Sequence, residues 1–525
     1  PTGKMKKIYL SIIADEKKYL FFLFLVAFLV RLFLIQNNSF VFRWDQARDA
    51  ILSRSIIENH DLKIQGPSAS GTQDQVYHGV LYYYLIAPLY TFSGGDPRFV
   101  IFVLTLIFST SVVPVYFLTK SFSNSKLTGF FTALLFAVSV DTASIGTWLS
   151  NPIMALLFIP FFYWRVWEIF FLENKKHLWL LALGLGLSHQ AAISSLYLFI
   201  PLGFSYLYLA FQKRNLIVFT LKEYLLLISI YLVSISTIIL SHYKIYQAGI
   251  FKISTFTGVI TESSSKLENL PNILELYLKK IQFNLIPQSS LISLIIFLPI
   301  LIYFIKKINF KQRIFYSIYF LSAFIFLFLH YRNSIHSLIS LSVVILIPIG
   351  FLLKEIALNF KKTIFSIVLV FIFLATHILK SAEFKKQGYA LYAVDQGYFF
   401  NEKLELMNKI FNISGGNQFS ISTFTIPYGH NTTWAYLFGW YGEMTYDKKP
   451  LFYGPDQRGI FGEEYLEMAQ NPELDHFTIY EPSVGSYESK LRVDFTYNQD
   501  KIGQVTEKFN FGTIEVEIRK SNQNS

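Results

Sequence analysis

Between residues 42 and 49 the chain reads Phe-Arg-Trp-Asp-Gln-Ala-Arg-Asp, placing two carboxylates and two guanidiniums directly after the first long apolar run. Charges at a bilayer boundary are costly to hold, so such a cluster marks a candidate site. Asp45 and Asp49 stand four residues apart, which on a helix puts both carboxylates on one face with Arg48 beside them. A carboxylate there can take a proton as a general base, and a guanidinium can pair an acid or grip an anion. The plainer reading of Arg48 and Asp49 is a surface ion pair.

Other polar groups stand between apolar stretches: Asp74, Asp141, Trp148 with Asn151 and Pro152, the pair His189 and Gln190, His242, Lys279 and Lys280, and the group His330, Arg332, Asn333 and His336. A lone histidine at a helix end is more often a structural hydrogen-bonder than a catalyst. Arg332 occupies a very short turn between two apolar runs, where a guanidinium has few tasks besides pairing an acid or holding a phosphate. The run Tyr-His-Gly-Val-Leu-Tyr-Tyr-Tyr at 77–84 is an aromatic amphipathic stretch suited to a membrane interface. With no cysteine in the chain, disulfides, thiolate nucleophiles and zinc–thiolate sites are excluded. No Gly-rich phosphate loop is present either.

The elements that must position these groups are apolar helices. Of the 525 residues, 53% are hydrophobic and only 15% charged. Apolar runs of this number and length, with no polar face, describe an α-helical polytopic membrane protein and not one soluble core. Eleven transmembrane helices are expected, near 19–36, 98–119, 127–146, 153–172, 178–189, 191–211, 223–241, 285–305, 314–330, 335–353 and 363–380. The pair around His189 and Gln190 can also be read as one bent or re-entrant unit. The first run is too long for the apolar part of a signal peptide and is expected to remain as an anchor.

The net charge of +11 divides unevenly, about −5 over residues 385–525 and +16 before them. The excess therefore belongs to membrane topology, or to an anionic lipid ligand, and not to nucleic acid. Lysines and arginines cluster before the first run and in alternate connections, including Lys120 and Lys126, Lys175 and Lys176, Lys213 and Arg214, and Lys306 to Arg313. With eleven spans this alternation puts the N-terminus in the cytoplasm and everything after residue 381 outside. The expected division is a membrane domain over 1–384 with outer loops at 37–97 and 242–284, and an extracytoplasmic α/β domain over 385–525. In the second loop, Thr261–Lys266 reads as flexible and Leu270, Ile273, Leu274 and Tyr277 as a helix face; a lid and a linker are equally open there. In the tail, 399–411 reads as an amphipathic helix, 418–425 and 476–480 as strands, and 505–518 as a hairpin around Asn510 and Gly512. Its aromatics, Trp434, Trp440 and Tyr441 near Tyr428 and His430, can stack on sugars or form an ordinary core.

In layout and in several segments the chain resembles the glycosyltransferase C superfamily, and within it family 39, which includes protein O-mannosyltransferases and the lipid A aminoarabinose transferase. The resemblance rests on Trp-Asp-Gln-Ala-Arg-Asp-Ala at 44–50, Gly-Pro-Ser at 66–68, His-Gly-Val-Leu-Tyr-Tyr-Tyr at 78–84 and Trp-Leu-Ser-Asn-Pro at 148–152. It covers about residues 20–240, and the remainder matches in layout alone. It implies transfer of a sugar from a polyprenyl-phosphate donor to a glycan, lipid or protein acceptor at the outer face of the cell membrane. The family's first-loop acid maps onto Asp45, as base for the acceptor or as its orienter. Gln46 and Asn151 stand where many members carry acids, which lowers the negative charge and argues against a divalent metal; no cofactor is expected.

The chemistry is consistent with that implication on its own terms. An inverting displacement at an anomeric carbon needs one base and groups that stabilise the departing lipid phosphate. Asp45 can be the base; Arg332, His336, Lys279 and Lys280 can serve the phosphate, with Arg48, Asp49, His78, Asn151 and His189 as further substrate contacts. Two alternatives share the span count and the basic loops. An oligosaccharyltransferase-like enzyme would carry a Trp-Trp-Asp-type motif in the tail, and none is present. A transporter or flippase of lipid-linked sugars predicts internal repeats and ionisable groups at mid-membrane depth. Here the polar groups gather at the outer ends of the spans.

Overall fold

The computed structural model describes residues 16–69, 76–249, 269–329, 335–359, 363–387, 398–454, 456–459, 461–473, 475–482 and 486–521. Asp74, Thr261–Lys266, His330, Arg332 and Asn333 lie outside the described residues. The chain forms two compact units: one of Pro1–Leu34, Lys63–Tyr82 and Phe102–Ala382, the other of Ile35–Leu62, Tyr83–Ile101 and Glu383–Ser525. The first is a bundle of apolar helices. In the second, two pieces of the first polar loop join the C-terminal residues.

All eleven expected apolar segments contain helix, yet among the described residues only eight helices are long and apolar enough to cross a membrane, or nine if the bent pair Leu221–Ser234 and Ser236–Gln247 is one span. The difference is one of length. Lys126–Val138 and Trp179–Ala191 have 13 residues each, which at about 1.5 Å per residue is roughly 20 Å, well short of a hydrocarbon core of about 30 Å. The span near 223–241 bends by 62°. Helix starts are set by ordinary capping: Ser125, Thr220 and Ser289 accept from the amides of Thr128, Glu223 and Ile292.

The bundle has an inside and a lipid side. In His336–Leu358, 83% of the apolar window is buried, against 17% in Ser290–Lys307, so the former is the central helix and the latter peripheral. Close approach at the centre depends on Gly350, where a Cβ would fall 2.1 Å from the Thr132 hydroxyl of the Lys126–Val138 helix. Small residues at such crossings let backbones meet in the absence of a hydrophobic drive between helices in lipid.

The second unit holds a five-stranded sheet in the order β2-β1-β3-β5-β4. Its strands are β1 (Ser420–Phe424), β2 (Leu451–Phe452), β3 (Asp475–Tyr480), β4 (Gly503–Phe511) and β5 (Ile514–Ser521). β2, β1 and β3 run parallel, whereas β5 is antiparallel to β3 and to β4. The helix Phe400–Ser414 and the strands β1, β3, β4 and β5 fall where periodicity places them; β2 and the helix Ser486–Asp500 do not announce themselves, the first being two residues long and the second mostly polar with no strong apolar face. The loop pieces are tied in by backbone. Phe42 N donates to Tyr398 O at 2.9 Å, Phe400 N donates to Phe40 O at 2.9 Å, and the Phe40 and Phe400 rings stack 4.8 Å apart.

Candidate functional site

The helix Trp44–Glu58 begins just after the extended Arg43, and its first turn is closed by Gln46, whose Oε1 accepts the Arg43 amide at 3.0 Å. Gln46 is 3% exposed and so works as a helix cap; a glutamate could make the same bond, but it would bury a charge. Asp45, in that first turn, keeps 58% of its side-chain surface open. The partial positive charge of a helix N-terminus favours a carboxylate at this place.

Arg48 connects the two aspartates. Its Nη1 donates to Asp45 Oδ1 at 2.7 Å, while Nη2 and Nε donate to Asp49 Oδ1 at 2.7 and 2.9 Å. The guanidinium also lies 4.8 Å from the Trp44 ring centre. Asp49 and Arg48 are buried, and the buried Tyr83 phenol lies beside them. Burial pushes the Asp49 carboxyl up to about 6 against the lowering pull of Arg48. Burial also opposes the charge on Arg48, yet the facing carboxylates hold its guanidinium above its ordinary value. The result is a buried Arg48–Asp49 pair that fixes a single exposed acid, Asp45. The surface-pair reading is thereby corrected, because this pair lies inside the unit.

Trp44 sits 5.8 Å from the His430 ring and 6.1 Å from Phe461, both from the C-terminal residues of the same unit. Below them Gln457 Oε1 accepts the Thr423 amide at 2.9 Å and Asn431 Nδ2 at 2.7 Å, a buried network joining the segments that follow β1 and β2. Trp434 and Trp440 are core side chains, so stacking on a sugar is not open to them. The Tyr441 hydroxyl donates to Asn408 Oδ1 at 2.9 Å.

A second polar cluster lies inside the helix bundle. Asp141, in the short helix Val140–Ile145, accepts from Lys280 Nζ at 2.9 Å on each carboxylate oxygen, from Asn284 Nδ2 at 3.1 Å, and from the Ser342 hydroxyl. The side chains of Lys280 and Asp141 are 1% and 0% exposed. Lys280 and Asn284 are one turn apart on the helix Leu270–Leu285, a spacing visible in the sequence; their partner Asp141 is 139 residues from Lys280 and is not.

The remaining candidates disperse. His78 Nδ1 accepts the Ile193 amide at 3.0 Å, and Gln190 Oε1 accepts the Leu81 amide at 3.3 Å. His242 accepts the Tyr77 amide at Nε2, 3.4 Å away, which leaves Nδ1 to donate to Ile238 O at 2.8 Å. Asn151 Nδ2 donates to Ala191 O at 2.6 Å. His189 Nδ1 meets the Tyr231 hydroxyl at 2.9 Å, and with His242 it lines an apolar cleft of about 290 Å³. Lys279 pairs with Glu275 at 2.7 Å on the surface, and His336 stacks on Trp148 at 5.6 Å. Arg332 lies outside the described residues. Among the described residues no three His, Cys, Asp or Glu side chains converge on a common metal position. Gln457 is absent from the sequence-based candidates and enters through tertiary contact alone; Tyr83 and His430 belong to the aromatic stretches read from sequence, but their places beside Asp49 and Trp44 come from tertiary contact.

A bundle of apolar helices and a second unit built on a five-stranded sheet make up the fold. That fold is shared with ArnT from Cupriavidus metallidurans. Its crystal structure in the apo state aligns with a TM-score of 0.58 and the one bound to undecaprenyl phosphate with 0.53, each at 9% identity over 96% of this chain and 98% of the other. The archaeal oligosaccharyltransferase AglB from Archaeoglobus fulgidus, in complex with an inhibitory peptide and a dolichol-phosphate, aligns at 0.44 with 11% identity over 98% of this chain and 75% of its own. No family model and no curated protein matches the sequence.

Proposed function

We propose that this chain is a membrane glycosyltransferase that moves a sugar from a polyprenyl-phosphate carrier to an acceptor hydroxyl at the outer face of the cell membrane. The observation that carries the reading is the exposure of Asp45, which Arg48 Nη1 holds at 2.7 Å. One carboxylate is open at a helix N-terminus, while its neighbour Asp49 is buried and committed to Arg48. A single positioned base suits one in-line displacement with inversion. Asp45 takes the proton of the acceptor hydroxyl as that oxygen bonds to the anomeric carbon, and the bond from that carbon to the phosphate oxygen breaks, so that polyprenyl phosphate departs with the electron pair. A double displacement needs a second free carboxylate as nucleophile, and Asp49 is not free.

The lipid-phosphate donor is supported by the shared fold with ArnT, one of whose structures holds undecaprenyl phosphate, and by the segments that resemble family 39. The basic alternate connections support the outward-facing orientation. For the departing phosphate we assign, on the sequence reading, Arg332, His336 and Lys279. Lys280 is committed to Asp141 and its task is to hold the bundle.

Asp45→Asn tests the reading. Loss of a general base costs about 100- to 10,000-fold in rate, so transfer from radiolabelled polyprenyl-phosphate sugars should collapse by at least 100-fold while the melting temperature is unchanged. Undiminished turnover in the folded variant sinks the assignment.

A further inference from the structure

The sheet of the second unit contains a topological switch. From β1 the chain goes to β2 on one side, and from β3 it goes through the helix Ser486–Asp500 to β4 and β5 on the other. In open sheets with parallel strands, ligands bind at the carboxyl ends of the strands where the connections diverge in this way. At that edge Tyr428 packs between Phe424, the last residue of β1, at 5.5 Å and Phe495 of the helix after β3 at 6.4 Å.

The segments leaving β1 and β2 run side by side there. The Tyr428 hydroxyl donates to Asp456 Oδ2 at 2.6 Å, and two residues on, His430 and Arg458 form a parallel backbone bridge. The alternate residues Asn431 and Gln457 are buried and hydrogen-bonded to each other and to Thr423, which fixes both segments from beneath. Tyr428, His430 and Asp456 stay partly exposed, and Arg458 is exposed. The strip ends at Trp44, 5.8 Å from His430, and Trp44 is the residue before Asp45. It thus offers three rings, a carboxylate and a guanidinium on a rigid base, leading to the exposed Asp45. A sugar ring uses such groups together, since its C–H face packs on an aromatic ring while its hydroxyls donate to a carboxylate and accept from a guanidinium.

We propose that this strip, formed by Trp44, Tyr428, His430, Asp456 and Arg458, binds the acceptor, and that the acceptor is a carbohydrate. The inference rests on the transferase reading above, for which it names the acceptor class and the surface that holds it. Peptide and lipid acceptors are the competing outcomes.

The test uses the full chain in lipid nanodiscs and three uncharged probes, the linear hexamers of mannose, glucose and N-acetylglucosamine, with binding read by saturation-transfer NMR. At least one hexamer should bind saturably. Tyr428→Phe, which keeps the ring packing and removes the hydroxyl, and Arg458→Ala, at an exposed site, should each weaken binding by about tenfold, the equivalent of one good hydrogen bond. The proposal is overturned if no hexamer binds, or if Tyr428→Phe and Arg458→Ala both bind as wild type does. Failure of the base assignment shows separately, as Asp45→Asn transferring sugar at the wild-type rate.

Discussion

Two ionic clusters, one in each unit, use the same chemistry and differ in whether they are closed. In the helix bundle Asp141 receives Lys280, Asn284 and Ser342, and both members of the ion pair are sealed. In the second unit Arg48 holds a buried Asp49 at one end and an Asp45 that is 58% exposed at the other. A closed network spends its hydrogen-bonding capacity on itself and specifies packing. An open one keeps a carboxylate for a substrate and uses the buried pair as its mount. Both look alike in sequence, as ionisable residues at the ends of apolar runs.

The contrast can be broken most forcefully at Lys280. Lys280→Met leaves Asp141 buried and unpaired, and such a break costs about 3–5 kcal/mol. The expected result is a large drop in thermal midpoint, restored substantially when Asp141→Leu is added, because an apolar pair of similar volume avoids the desolvation cost. A single variant that melts like wild type contradicts the sealed network.

A smaller effect separates the clusters by pH. Asp49 titrates near 6 in the folded chain against about 3.8 unfolded, so between those values the folded state binds more protons. Its contribution to stability is therefore fully present below about pH 4 and is lost as pH rises through 6, in total about 3 kcal/mol. Melting curves for wild type and Asp49→Asn, compared from pH 7 down to pH 4, should shift in favour of wild type on acidification. Parallel curves would mean that Asp49 is not desolvated as the structure has it.

The smallest effect is at Gln46. Gln46→Ala removes the bond to the Arg43 amide and should cost about 1 kcal/mol of stability, with transfer reduced severalfold at most. A collapse of activity to the level of Asp45→Asn would move Gln46 from helix cap to substrate contact.

Much of the fold was legible. Apolar runs fixed the positions of the helices, and period-two stretches located β1, β3 and the final hairpin, because burial imposes those periods on the sequence. Span lengths were less readable, since Ser139 interrupts the apolar run after Val138 and Ile235 bends another, and hydropathy does not register a backbone turn. The grouping of the first loop with the tail could not be read at all. It depends on Phe40, Phe42 and Trp44 meeting Phe400, Tyr436 and His430, residues hundreds of positions away.

By itself the sequence determined that the chain is a helical membrane protein with an α/β tail, and that Asp45, Arg48 and Asp49 share one helical face, because these follow from local periodicity and hydrophobic transfer. Tertiary structure alone decided that Asp49 is buried and Asp45 open, that Lys280 closes on Asp141, and that Trp44 meets His430. Exposure and long-range pairing depend on what the rest of the chain packs against each residue, and adjacent positions in a sequence do not encode that.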